Sequence, residues 1–147
     1  MLRVGVSVAV AAAATLALAA CGSGRLSHDA YVRRADAVCS AYSAKVKLLT
    51  RPTSYGAVTS FVERTLPLYV SALEKLEALK PAKEDAGAVR TWLAADRKVA
   101  SALRTLRAAA MRHDLASTND AANALQAASL SARQAAGALG LETCATP

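Results

Sequence analysis

The chain has 147 residues and a formal net charge of +7 at pH 7, and alanine dominates a composition with only seven glycines and four prolines. The six aromatic residues are too few to indicate stacking platforms for nucleic-acid bases. β-Branched residues do not cluster into the alternating runs that are typical of strands. The composition therefore favours an all-α protein without a nucleic-acid partner.

Residues 1–20 have the pattern of a secretory signal peptide, with a basic residue near the start and an uncharged run behind it. The run ends in Leu18-Ala19-Ala20-Cys21, which resembles the bacterial lipobox. The resemblance implies that the Cys21 thiol receives a diacylglyceryl group, that cleavage falls before Cys21, and that the new amino terminus is acylated. We therefore expect a protein held by its acyl chains (palmitate or a similar fatty acid) on the outer, extracytoplasmic face of the cell membrane.

Two other interpretations of this segment remain open: an ordinary signal peptide with a chance cysteine, and an uncleaved transmembrane helix. The uncharged run is barely long enough to span a bilayer. Cleavage before Cys21 leaves 127 residues and a formal charge of +6, because Arg3 is lost with the signal. Residues 21–27 then form the lipidated cysteine and a short tether, and residues 28–147 form one domain. An exported protein also lies in a different compartment from nucleic acid, which is the main reason to exclude that partner.

Lipidation of Cys21 leaves two cysteines, Cys39 and Cys144. Two cysteines in an exported domain most often pair, so we expect a disulfide between them. Such a bond closes a loop of about a hundred residues, for which the chain-entropy account gives an upper value of roughly 4–5 kcal/mol. The bond requires either that the tail folds inward over the bundle, or that the last helix ends level with Cys39. In the second case the start of the first helix projects as a stalk.

Four segments carry apolar residues at helical spacing. The stripe of the first segment begins at Val32 and includes Tyr42, and the stripe of the second includes Tyr69. Together they predict an antiparallel four-helix bundle in up-down-up-down order, closed by the disulfide; a helical hairpin that dimerises is the alternative. The expected helices run from about Ser27 to Thr50, from Thr53 or Ser54 to before Pro81, from about Ala82 to His113, and from between Asp114 and Asn119 to Leu139-Gly140.

Three features of these helices have structural consequences. Pro67 predicts a kink in the second helix, or else two helices that meet there. Asp96 breaks the apolar stripe of the third helix and needs a partner, for which Tyr42, Tyr69 or a basic side chain are candidates. The small residues along the fourth helix predict a close approach to its neighbours, which leaves less room for a cofactor beside it.

The chain resembles a group of small exported or lipid-anchored helical proteins of high-GC Gram-positive bacteria. The resemblance rests on Ala35-Asp36-Ala37-Val38-Cys39, on Trp92-Leu93, and on the terminal segment Ala138-Leu139-Gly140-Leu141-Glu142-Thr143-Cys144-Ala145. It implies the helical fold, export and the cysteine pair, and it implies no activity.

No pattern for catalysis or metal binding stands out. The two histidines are His28, next to the tether, and His113, at a helix end, and the chain has no Gly-x-Ser-x-Gly motif, so we expect no enzyme. Met111 and His113 could contribute to a copper site, but no second cluster joins them, and we expect neither metal nor cofactor. Trp92 on the apolar stripe is expected in the core. One basic strip on the third helix contains no acid; its residues are Arg97, Lys98, Arg104, Arg107 and Arg112. It is either a solvated outer face or a surface that docks an anionic wall polymer or an acidic envelope protein.

The sequence thus supports one leading hypothesis, a non-enzymatic envelope lipoprotein that acts as a helical binding module. Its partners would be the membrane, through the lipid anchor, and an anionic polymer or an acidic protein. The alternative hypothesis is a carrier of a small ligand or metal in the bundle core. An enzyme is the third, and it would require two or more titratable groups that converge in one cleft.

Overall fold

A computed structural model of the protein describes residues 24–146. All regular secondary structure in this range is helical, and no helix in it is long and apolar enough to cross a membrane. The expected signal peptide and Cys21 lie outside the described residues. The helices are α1 (His28–Lys47), α2 (Tyr55–Glu77), α3 (Ala86–Met111), α4 (Leu115–Ala138) and α5 (Glu142–Ala145).

The four long helices form the antiparallel up-down-up-down bundle that the sequence predicts, and α3 is its central element. α3 packs against α2 on one side and α4 on the other, and the packing of α3 on α4 is the most extensive in the molecule. Small side chains make this close approach possible, since Ala95, Ala109, Ala132 and Ala136 are all buried.

α1 has a different environment. It packs against α2 and α5, whereas no Cα atom of α1 lies within 8 Å of a Cα atom of α3 or α4. The side of the bundle between α1 and α4 is therefore bridged through α5 and not by direct packing of the two helices. The predicted Cys39–Cys144 disulfide is present in this bridge, with an S–S distance of 2.08 Å and Cα atoms 5.3 Å apart.

The tail after α4 folds inward to make this bond. Gly140 has φ +75°, a left-handed conformation that glycine adopts without strain, and it reverses the chain. Leu141 is fully buried in the same apolar cluster as Val38. α5 then lies against α1, where the backbone N–H groups of Thr143 and Cys144 donate to Oδ1 of Asp36 at 2.9 and 3.2 Å.

The alternative in which the start of α1 projects as a stalk is wrong. Tyr31 and Ala35 in its first two turns are 2% and 0% exposed, and they pack in a cluster with Trp92 and Leu139. The apolar stripe expected from the sequence began at Val32, which is only half-buried. The actual stripe is therefore shifted toward Tyr31 at this end of the helix.

The ends of the helices follow local chemistry. Ser27 caps α1, since its Oγ accepts from the N–H of Ala30 at 3.4 Å. Asp114 caps α4, where its carboxylate accepts from the N–H and the hydroxyl of Ser117. α2 is one continuous helix through Pro67, so the alternative of two separate helices is wrong.

Part of the expected tether belongs to the folded domain. The backbone N–H of Leu26 donates to the carbonyl of Lys80 at 2.8 Å, and the Arg25 guanidinium donates to the carbonyl of Pro81 at 3.0 Å. The start of α1 is thereby fixed to the loop between α2 and α3. Because Arg25 and Leu26 are bound to the folded domain, the segment that could act as a tether is shorter than expected.

Candidate functional site

The bundle contains a cavity of about 360 Å³, which we name the central cavity. It lies between α1 and α4, where the two helices do not pack on each other, and it is open on one side. α4 contributes Leu125, Ser129 and Ala132 to its wall. The expectation that small residues on α4 would leave less room is therefore wrong: they draw α4 toward α3 and away from α1, and the space opens on the α1 side.

The wall of the central cavity is largely apolar and unusually aromatic. Four of the six aromatic residues of the chain line it, namely Tyr42, Phe61, Tyr69 and Trp92. The rings of Tyr42 and Tyr69 meet edge to face, with centroids 5.5 Å apart and an interplanar angle of 84°. Trp92 is 2% exposed, so it belongs to the core, as expected, while also forming part of this wall.

Asp96 is the buried acidic group of the cavity wall. Only 9% of it is exposed, and the Tyr69 hydroxyl donates to its Oδ1 at 2.6 Å. Tyr69 was one of the partners considered from the sequence, and it is the observed one. The other oxygen, Oδ2, is buried and has no hydrogen-bond partner among the described residues.

The buried position changes the acid strength of Asp96 and its neighbours. Burial raises the pKa of Asp96, and the hydrogen bond from Tyr69 partly offsets that rise. Burial, the Asp96 charge and the shared hydrogen bond together raise the pKa of Tyr69 far above its usual value. Burial raises the pKa of Tyr42 to about 12. Neither tyrosine can therefore ionise near neutral pH.

Another buried tyrosine lies close to this group. The pKa of Tyr31 is raised to about 12, first by burial and then by the charge of Asp96. Its hydroxyl is buried and also lacks a hydrogen-bond partner among the described residues. Tyr31 is not among the residues that line the central cavity.

Asp96 and Tyr69 are two titratable groups in one cleft. The hypothesis of an enzyme requires such a convergence. Asp96 could serve as a base, but Ser43 and Ser129, the serines of the cavity wall, make no hydrogen bond to it. A nucleophile must lie within reach of its base to be activated. Within the described residues, the cavity wall therefore contains a buried carboxyl group that makes no hydrogen bond to a serine of that wall.

The basic strip predicted on α3 is divided by ion pairs. Arg97 pairs with Glu77 at 2.8 Å, and Arg107 pairs with Glu63 at 3.2 Å. The other three residues are exposed and form no ion pair within residues 24–146; they are Lys98, Arg104 and Arg112. The strip therefore consists of two cations engaged with α2 and three that face solvent.

Met111 is the last residue of α3, and His113 lies in the turn that follows; both were considered as copper ligands. In the described part of the chain, no group of three or more His, Cys, Asp or Glu side chains could hold a metal ion. His113 instead forms the turn itself, with φ +56°. Asp114, the next residue, is engaged as the cap of α4, and its bonds from Ser117 lower the pKa of its carboxyl.

Sequence reasoning singled out Asp96 but missed the aromatic wall around it. Tyr42 and Tyr69 were identified as members of the apolar stripes of two helices, and their convergence depends on how those helices are rotated in the bundle. The break in the apolar stripe at Asp96 was the available signal. Asp36 was missed as well, because the single helical turn that it caps was not anticipated.

In comparisons with known proteins, no family model, no curated protein and no solved structure matched this chain.

Proposed function

We propose that this protein is a lipid-anchored, extracytoplasmic, non-enzymatic binding protein whose central cavity takes a small, largely apolar ligand. The observation that carries the proposal is the cavity itself, about 360 Å³ of space inside a 123-residue described domain, residues 24–146. Ligand pockets of proteins typically enclose roughly 300–1,000 Å³ and combine apolar walls with few polar groups. The central cavity has this size and this kind of wall.

The arrangement of the helices supports ligand entry. The first half of α1 is held in the core by Tyr31 and Ala35, whereas no part of α1 makes a close backbone contact with α4. A small displacement of the second half of α1 away from α4 would widen the opening without disturbing the packing of α3 against α4. The disulfide sets a limit to that displacement because it holds Cys39 to the α5 turn.

The lipid anchor would keep such a pocket next to a source of apolar ligands. A domain attached by acyl chains on Cys21 stays next to the membrane surface, where apolar and amphipathic molecules concentrate. The short tether favours this position, since Arg25 and Leu26 are already bound to the loop between α2 and α3. Of the hypotheses drawn from the sequence, we therefore place a small-ligand carrier ahead of a module that binds through its outer surface.

The test is a search for a molecule that the protein retains. The full chain is purified as the cell processes it, extracted with organic solvent, and the extract is analysed by mass spectrometry. Ser129→Phe places a ring in the cavity wall, whereas Ser131→Phe, its matched control, places the same ring on an exposed position of α4. We expect a compound with the wild type and the control that is absent from Ser129→Phe. Identical extracts from all three proteins would contradict the proposal.

A further inference from the structure

Polar side chains are distributed unevenly over the wall of the central cavity. The residues that α2 and α3 contribute are apolar or aromatic, apart from Thr65 and Asp96. The hydroxyl of Thr65 donates to the carbonyl of Phe61 at 2.9 Å, within α2. Asp96 accepts from Tyr69 through Oδ1, and its Oδ2 is buried and closed to the cavity. This part of the wall therefore offers a ligand mainly apolar contacts.

The remaining part of the wall carries a cation and several hydroxyl groups. Arg133 on α4 is the only basic residue of the wall within the described residues. Ser129 lies one turn before it on the same face of α4, and both side chains are half-buried. α1 adds Ser43 and α5 adds Thr143, which are also half-buried. The cation and these hydroxyls thus belong to the elements that border the gap between α1 and α4.

No acidic side chain neutralises Arg133 in the described range, where it forms no ion pair. Asp120 is the only acid of α4, and none lies one turn before or after Arg133. Asp36 on α1 is engaged by the backbone of α5, and Glu142 on α5 is exposed. A guanidinium group stays charged at any physiological pH and carries five donors. A bound anion could therefore pair with Arg133 without displacing another residue.

We propose that the ligand of the central cavity is an anionic amphiphile, an apolar chain that ends in a carboxylate, and that Arg133 binds this carboxylate. The proposal rests on the proposed function, because it names the ligand class of the same cavity. The apolar chain packs against the wall formed by residues such as Val99, Leu103 and Leu125. The carboxylate stays at the opening, where a guanidinium can bind both of its oxygens.

The partial burial of Arg133 fits this role. A long arginine stem can cover apolar surface while its charged head remains at the edge, in contact with water. The overall charge acts in the same direction, since the mature chain expected from the sequence carries a formal charge of +6. An apolar wall with one cation at its edge therefore favours a ligand with one anionic end over a neutral or cationic ligand.

The test compares three ligands that have the same chain length and differ in their end group: decanoate, decanol and decylammonium. None absorbs where tryptophan does, and Trp92, the only tryptophan of the chain, lines the cavity, so its fluorescence reports binding. Titrations use the full chain as the cell processes it, in nanodiscs of zwitterionic lipid, and empty nanodiscs correct for ligand taken up by lipid. We expect the wild type to bind decanoate about tenfold more tightly than decanol, and decylammonium most weakly.

Variants separate a contact with the carboxylate from a structural role of Arg133. Arg133→Gln should weaken decanoate binding by about tenfold and change decanol binding by less than about threefold. A merely structural role would weaken both. Arg133→Lys keeps the charge but loses the paired donors, so its preference should lie between those of the wild type and Arg133→Gln. Arg104→Gln removes an exposed cation of α3 and should retain the full preference. Circular dichroism verifies that each variant is folded.

The two proposals fail in different ways. Equal affinity of the wild type for decanoate and decanol, or an unchanged preference in Arg133→Gln, would overturn the ligand class and leave an apolar pocket. Tighter binding of decylammonium than of decanoate would do the same. Absence of a Trp92 response to decanoate would also overturn the ligand class. If the organic extracts of wild type and Ser129→Phe were identical as well, the binding function itself would be overturned.

Discussion

The hydroxyl of Tyr69 on α2 donates to Oδ1 of Asp96 on α3 at 2.6 Å and joins the two helices inside the core. This is the short distance typical of a charge-assisted hydrogen bond. The contact stabilises only one of the two oxygens, and burial raises the pKa of the carboxyl despite it. Ionisation of the Asp96 carboxyl therefore lowers the stability of the folded protein.

The first prediction concerns the pH dependence of stability. Because the pKa of folded Asp96 lies above its ordinary value of 3.8, its contribution to stability is present below that value and is lost as the pH rises through the raised pKa. Asp96→Asn cannot ionise and keeps an oxygen that can accept from Tyr69. Its free energy of unfolding relative to the wild type should therefore increase as the pH rises from about 3 to 8.

Urea unfolding of the ligand-free proteins across this pH range measures the difference. Asp120→Asn is the matched control, since it changes an exposed carboxyl with the same chemistry. A difference between Asp96→Asn and the wild type that changes with pH no more than that of Asp120→Asn would show that burial does not perturb the Asp96 carboxyl.

The second prediction concerns the disulfide. Cys39 and Cys144 are 105 residues apart, and their bond ties α1 to the turn that bridges it to α4. The double change Cys39→Ser and Cys144→Ser should lower the free energy of unfolding by about 2–5 kcal/mol. The bonds of Asp36 to the backbone of α5 remain and limit the loss.

Denaturant unfolding with and without a thiol reductant provides the measurement. Reductant should shift the midpoint of the wild type to lower denaturant and leave that of the double variant in place. An unchanged wild-type midpoint, with both thiols shown to be free, would contradict the stabilising role of the bond.

The sequence predicts the bundle, its topology and its disulfide well, because these depend on helical spacing, short connections and cysteine number. The caps at Ser27 and Gly140 follow from local chemistry in the same way. The central cavity could not be predicted, since it arises from the unequal packing of α3 with α4 and of α1 with α4. Tyr31 shows the same limit: whether it or Val32 faces the core depends on a small rotation of α1, which the spacing of apolar residues does not define.

The third prediction concerns the anchor, which the sequence alone supports. Cys21→Ser removes the thiol that a diacylglyceryl group would occupy, so the protein should leave the membrane fraction or remain unprocessed. Fractionation and intact-mass analysis of the exported protein measure both effects. A variant in the membrane fraction with the same mature mass as the wild type would contradict lipidation at Cys21. Cys39→Ser, which changes a cysteine of the disulfide, should leave the protein in the membrane fraction.

The fourth prediction concerns the basic strip of α3. Arg97 and Arg107 are engaged by Glu77 and Glu63, whereas Lys98 and Arg104 face solvent without an ion pair in the described range. Only cations that face solvent can contact a polyanion without first losing a partner. If the strip binds an anionic wall polymer, Lys98→Gln with Arg104→Gln should weaken binding by about tenfold. Arg97→Gln with Arg107→Gln should weaken it less, although both pairs of changes remove two charges.

α3 runs parallel to α1, so a domain anchored before α1 carries the second half of this strip away from the membrane, where wall polymer would be met. Retention on immobilised anionic cell-wall polymer, with a neutral polysaccharide matrix as the reference, measures the interaction. Added salt should weaken retention of the wild type, because exposed charges are screened. Equal retention of the wild type by both matrices, or equal losses in the two double variants, would identify the strip as a solvated face whose charges keep the protein soluble.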